Sequence, residues 1–100
     1  MKCAFCEIAQ GARDARVLYR MSGFFVFEPS THAKNKLLIA PVEHYQDLGE
    51  IPLPVLSEWL RVAHTLSSRL AVTSCKMQIN VGVKHQNVRH LYMQFSYQKE

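Results

Sequence analysis

The chain has no apolar run approaching the roughly 18 residues that a membrane helix needs, so no membrane span is expected. Nor does it contain an internal repeat, a tract of one residue type or a dense block of like charge. That excludes solenoids, low-complexity tails and polybasic arms. Glycine and proline number four each, too few for a chain built of linkers. Cysteine is scarce and odd in number: Cys3, Cys6 and Cys75. Three thiols do not make the disulfide framework of a small secreted domain. The opening stretch, MKCAFCEIAQGARDAR, lacks an apolar core of signal-peptide length and turns charged at once. The expected compartment is the cytoplasm. Acidic residues are outnumbered eight to twelve by Lys and Arg, leaving a formal charge of +4. The spread of these cations favours anionic partners in general. It offers no aromatic-plus-basic strip of the kind that stacks nucleic acid.

What is present is hydrophobic content, 48% of 100 residues, enough for one modest core and a single domain over 1–100. Residues 1–12 read as a cysteine-containing lead. RVLYR (16–20) and FFVFEPS (24–30) read as strands joined by a turn at 21–23. The continuous run Phe24, Phe25, Val26 and Phe27 suggests a strand buried on both faces. KLLIAP (36–41) is a third strand, stopped by Pro41. VEHYQDLGEIP is a short helical turn and loop. Leu56, Trp59, Leu60, Ala63, Leu66 and Leu70 then trace one apolar stripe on a helix over 53–72. CKMQINVGV (75–83) and VRHLYMQFSY (88–97) read as the last two strands. On the latter, His90, Tyr92 and Gln94 face one way, exposed or toward a ligand. Leu91, Met93 and Phe95 face the core. Five strands and one strong helix predict an α+β fold with a mostly antiparallel sheet.

Cys3-Ala-Phe-Cys6 is a CxxC pair, which serves as half a metal site or as a redox dithiol. The redox form wants a helix N-terminus after a strand, and no strand precedes this pair. A zinc site needs two further His or Cys ligands. The candidates are His32, His44, His64, His85, His90 and Cys75. His64 is expected at the boundary of the helix, and His32 and His85 in solvated loops. Local zinc-finger spacing is absent, so any site must join distant segments.

Taken together the pieces resemble the histidine triad (HIT) family. CAFCEIAQG is similar to that family's Cys-x-x-Cys-x-Ile-x-x-Gly lead. FFVFEPS resembles its aromatic strand ending in an acidic residue, and LLIAPVEHYQDLGEI its strand-Pro-x-x-His segment. INVG resembles its Asn-x-Gly, and HQNVRHLYMQF its Gln-x-Val-x-His-φ-His-φ-His. The resemblance implies a five-stranded antiparallel sheet with one long and one short helix, and a homodimer. It implies structural zinc held by Cys3, Cys6, His44 and His90. It also implies a nucleotide or nucleoside phosphate site built from Phe27, Glu28, Lys36, Asn80, Gln86, Asn87 and Gln94.

The sequence departs from the family at the middle histidine, which attacks a nucleotide α-phosphate in active members. Tyr92 stands there, flanked by Gln94 at the third triad position, with Gln86 nearby in the site. A phenol of ordinary pKa ~10 is only about 0.1% ionised at neutral pH, and its phosphodiester is a poor leaving group. The expected protein is therefore a zinc-stabilised, catalytically impaired nucleotide-binding domain. Two alternatives stand beside it. One is an active hydrolase or transferase acting on dinucleoside polyphosphates or nucleoside phosphoramidates. The other is an interaction module without catalysis.

Overall fold

A computed structural model describes residues 3–31, 33–82 and 88–98 of the chain. The elements run α1 (Ala4–Ala9), β1 (Val17–Met21), β2 (Phe24–Phe27), β3 (Lys36–Pro41), a 3₁₀ turn (Leu48–Glu50), α2 (Leu53–Arg69), β4 (Ser74–Ile79) and β5 (Met93–Gln98). The strands form one five-stranded sheet in the order β1-β2-β3-β5-β4, with every neighbour antiparallel. This is the expected α+β architecture, with one long and one short helix.

The aromatic run fixes the middle of the sheet. All four residues of β2 are buried, because the strand has a helix on each side. Phe24 and Val26 join Leu37 and Ile39 of β3 in the core beneath α2. Phe25 and Phe27 join Leu38 and Ala40 in a second cluster with Phe5 and Ile8 of α1. Strands covered on both faces lose the apolar-polar alternation and read as continuous hydrophobic runs. The turn into β2 is tight. Ser22 and Gly23 both adopt positive φ, 52° and 80°, between the paired residues Met21 and Phe24. This is the type I′ hairpin turn, whose twist matches that of the strands it joins.

Helix α2 has Pro52 as N-cap and Pro54 in its first turn, where a missing N–H costs nothing. Trp59 anchors it: the ring is fully buried and Nε1 donates to the Ile39 carbonyl at 3.2 Å. The seam differs from the predicted stripe at one position. Leu60 is 55% exposed, and Val62 takes a buried place beside Trp59, Ala63 and Leu66. One residue along a helix is a 100° rotation, so a seam centred on Trp59 turns Leu60 outward. His64, expected at the boundary, is exposed. The helix ends at Arg69, with Leu70 as its C-cap and Ala71 at φ 52°, short of the predicted residue 72.

Two boundaries matter for function. The lead is not featureless, since it contains α1. The last strand starts at Met93 rather than at 88. Residues 88–90 bend, and the Leu91 N–H bonds to the Tyr45 carbonyl at 2.7 Å, pairing with a loop instead of a strand. His90 is consequently not on an exposed strand face; it is fully buried. Strand β4 ends at Ile79 and forms one edge of the sheet.

Candidate metal centre and adjoining cavity

Cys3, Cys6, His44 and His90 come together from three distant segments, with their ligand atoms all within 4.8 Å of one another. Helix α1 presents the two sulfurs. Cys3 is its N-cap, and its Sγ accepts the Cys6 N–H at 3.4 Å. Cys6 lies one turn on, so both thiols share one end of the helix. His44 comes from the segment after β3, and His90 from the bend before β5. Cys3 Sγ is 3.4 Å from His90 Nδ1. Cys6 Sγ is 3.5 Å from the same nitrogen and 3.3 Å from His44 Nδ1. A zinc tetrahedron with ordinary bond lengths has sulfur-to-nitrogen edges of about 3.6 Å, and these three approaches come close to that length.

The electrostatics fit a cation as well. The His90 Nε2–H donates to the Pro41 carbonyl at 2.8 Å. That bond fixes the tautomer and turns the Nδ1 lone pair toward the sulfurs, the usual support of a metal-bound imidazole. Burial holds the His90 pKa below the ordinary histidine value; the Pro41 bond opposes that shift, and the charge of His44 reinforces it. The ring is thus kept neutral, as a ligand must be. Burial, followed by the hydrogen bond and charge of Cys3, pushes the Cys6 thiol up to about 11. Two adjacent thiolates are unfavourable unless a positive ion stands between them. This is the opposite of the depressed thiol pKa that marks a redox CxxC, although the pair does stand at a helix N-terminus.

A cavity of about 550 Å³ adjoins this cluster, within the range of small-molecule sites. Phe27, Glu28, Lys36, Tyr92 and Gln94 all line it. Of the other sequence-predicted site residues, Asn80 is not in the lining; its Oδ1 accepts from Gln78 Nε2 at 2.9 Å. Gln86 and Asn87, like His32 and His85, lie outside the described residues. Cys75 is exposed on β4, and neither it nor His64 joins the four-residue cluster.

Phe5 and Ile8 of α1 form a wall of the cavity that sequence reasoning missed, and Arg13 and Arg16 contribute to its rim. The spacing of Phe5 and Ile8, i and i+3, is the available signal for that helix face. The two arginines are partly committed: Arg13 pairs with Glu7 at 2.8 Å and Arg16 with Glu28 at 4.0 Å. Lys36 has no ion pair among the described residues, so it is the cation most available to an anionic guest. Tyr92 is only 4% exposed. Its ring meets Phe5 edge-on, centroids 5.1 Å apart at 88°. Phe5 also meets Phe27 at 5.2 Å and His90 at 5.8 Å.

No protein-family model matches the sequence, and no curated protein sequence matches it. Solved structures do. A histidine triad protein from Clostridium difficile superimposes with a TM-score of 0.88 and 25% identity, over 100% of this chain and 93% of that one. A histidine triad nucleotide-binding protein from Candida albicans gives 0.85 and 26%, over 99% and 76%. A zinc-bound histidine triad family protein from Mycobacterium smegmatis gives 0.86 and 21%, over 100% and 77%. The chain therefore has the fold of histidine triad proteins.

Proposed function

We propose that the chain is a zinc-binding histidine triad protein with a nucleotide pocket and an impaired triad. The observation that carries this reading is a juxtaposition. A four-donor cluster of two cysteines and two histidines adjoins a 550 Å³ cavity, and both are built partly from α1. A site closed by four protein ligands leaves no coordination position for water, so the metal supplies stability rather than catalysis. Cys3, Cys6, His44 and His90 hold it. The zinc-bound and nucleotide-binding proteins of the same fold support both halves of the reading.

In the cavity, Lys36 and Gln94 are set to receive phosphate, Glu28 to receive a ribose hydroxyl, and Phe27 to pack against a base. Asn80, Gln86 and Asn87 complete the set that the resemblance implies. Tyr92 stands at the nucleophile's position, and its ring is packed against Phe5 instead of offering an imidazole nitrogen. The nucleotidylation step of the family then lacks its attacking group. The chain also pairs as a homodimer. Among the described residues β4 is an edge strand, and with Met77 48% exposed it supports association through that side.

Calorimetric titration with AMP tests the pocket: saturable binding at or below millimolar concentration is expected, and none would end the nucleotide reading. Turnover of a nucleoside phosphoramidate tests the impairment. The natural protein should be silent and Tyr92→His should gain activity. Turnover by the natural protein, with nucleotide mass retained on Tyr92, would replace this reading with that of a working transferase. Light scattering at the mass of one chain would refute the dimer.

A further inference from the structure

Helix α1 belongs to two sites at once. Its N-terminal end carries Cys3 and Cys6 of the cluster, and Ala4, Phe5 and Ile8 line the cavity. The helix has six residues, far below the dozen or more an isolated helix needs to persist in water. Its order must come from tertiary contacts. Besides the Arg20 guanidinium, which donates to the Ala9 carbonyl at 2.9 Å at the far end of the helix, two groups of contacts supply it. One is apolar, Phe5 and Ile8 against Phe27, Leu38 and Tyr92. The other is the set of sulfur-to-imidazole approaches at 3.3–3.5 Å, which a metal would convert into bonds. Between them stands Phe5, whose ring touches His90 on the cluster side and Tyr92 on the cavity side.

From this arrangement we infer that the metal cluster orders a wall of the binding cavity, so that metal and cavity ligand bind cooperatively through α1 and Phe5. The inference rests on the reading that the cluster holds a metal and that the cavity takes a nucleotide, and it adds how one governs the other. With the metal in place, Phe5 and Ile8 are held over Phe27 and Tyr92, and a ligand meets a formed pocket. With the metal removed, α1 keeps its apolar anchors, Phe5 and Ile8, and the Arg20 bond at its far end, but nothing bonds its cysteine end to the histidines. The ligand must then order the wall itself, and its affinity falls by that ordering cost. Reciprocity requires the ligand to raise metal affinity by the same factor.

The experiment uses full-length protein, loaded with Zn²⁺ or stripped by chelator. AMP affinity is measured by calorimetry and amide hydrogen exchange is followed at residues 5–10. Metal removal should weaken AMP by about 5- to 150-fold, the usual span of such couplings. It should also deprotect the α1 amides while leaving α2 and β3 protected. Phe5→Ala, which leaves all four ligands in place, should still take up Co²⁺ with its tetrahedral thiolate spectrum. It should bind AMP weakly with or without metal. Equal AMP affinity in loaded and stripped protein overturns the inference. So does a stripped chain that loses protection everywhere, since the metal would then be a global staple. If AMP binds neither form, the nucleotide reading falls, and the exchange data alone decide the wall. Unchanged protection of residues 5–10 on stripping refutes its dependence on the metal, and selective loss sustains it.

Discussion

The two histidine ligands are chemically alike but should respond very differently to truncation. His90 is fully buried, and its Nε2–H satisfies the Pro41 carbonyl at 2.8 Å. His90→Ala therefore removes a packed ring at about 2–3 kcal/mol for the void. It also strands a buried acceptor at about 1–3 kcal/mol. Together these give about 3–6 kcal/mol before any metal is considered, a large part of the roughly 5–15 kcal/mol typical of a domain. His44 contributes a ligand atom and an edge contact with His90, and no second hydrogen bond of its ring is seen among the described residues. Loss of the metal adds a separate component, about 2.7 kcal/mol when free metal stands at 100 times its dissociation constant. The assay is urea unfolding of wild type, His44→Ala and His90→Ala, each with metal and with chelator. With metal, both variants should fall below wild type. In chelator, His44→Ala should rejoin wild type to within about 1 kcal/mol, as a ligand with little other packing would, while His90→Ala stays lower by the full void and acceptor cost. If the two variants coincide in chelator, the buried Pro41 bond carries none of the weight assigned to it. If chelator leaves wild type unchanged, the cluster does not hold a metal.

Three further outcomes follow from the fold and from one exposed carboxylate. Trp59→Phe keeps most of the buried ring but loses the bond to the Ile39 carbonyl, and should cost about 1–3 kcal/mol by chemical denaturation. Gly23→Ala meets no neighbouring atom within 4 Å, yet its φ of +80° imposes about 1–2 kcal/mol of backbone strain, read as a lower melting temperature. Glu50 accepts the N–H groups of Gln46 and Asp47 at 2.6 and 3.1 Å, and these bonds hold its carboxyl below the ordinary value of 4.5. A depressed folded pKa means stability that is present above pH 4.5 and lost as pH falls through the folded value. Melting curves from pH 3 to 7 should therefore show a shallower acid decline in Glu50→Gln than in wild type.

The legible parts of this fold are those where one physical signal dominates. FFVF suggests a strand covered on both sides, as β2 is, and KLLIAP is bounded by its own proline. Trp59, Ala63 and Leu66 placed α2, although the choice between Leu60 and Val62 depended on where Trp59 met β3. Helix α1 was invisible because six residues are too few for periodicity to register. Its partners are Phe27, Leu38, Tyr92, the two histidines and Arg20, all outside the helix. The alternation of His90, Tyr92 and Gln94 looked like a strand, but a buried imidazole needs an acceptor, and the nearest one turned the chain before Met93. The ligand set was legible only through a resemblance, since Cys6 and His90 are 84 positions apart and no spacing rule reaches that far. The i, i+3 pair of Phe5 and Ile8 is the one hint in the sequence that the lead walls the cavity.

The bond from His90 to the Pro41 carbonyl has an evolutionary consequence. Its acceptor is main chain, so no codon change at position 41 deletes that oxygen; a replacement there alters the strand's side chain and leaves the carbonyl where β3 puts it. Either cysteine can be lost in one step, and so can His44. The orientation of the remaining imidazole would survive each loss, because the sheet encodes it rather than any neighbouring residue. A lineage that discarded the metal would keep a preset Nδ1 aimed at the same vacant corner, and regaining a ligand there would require one substitution instead of a rebuilt site.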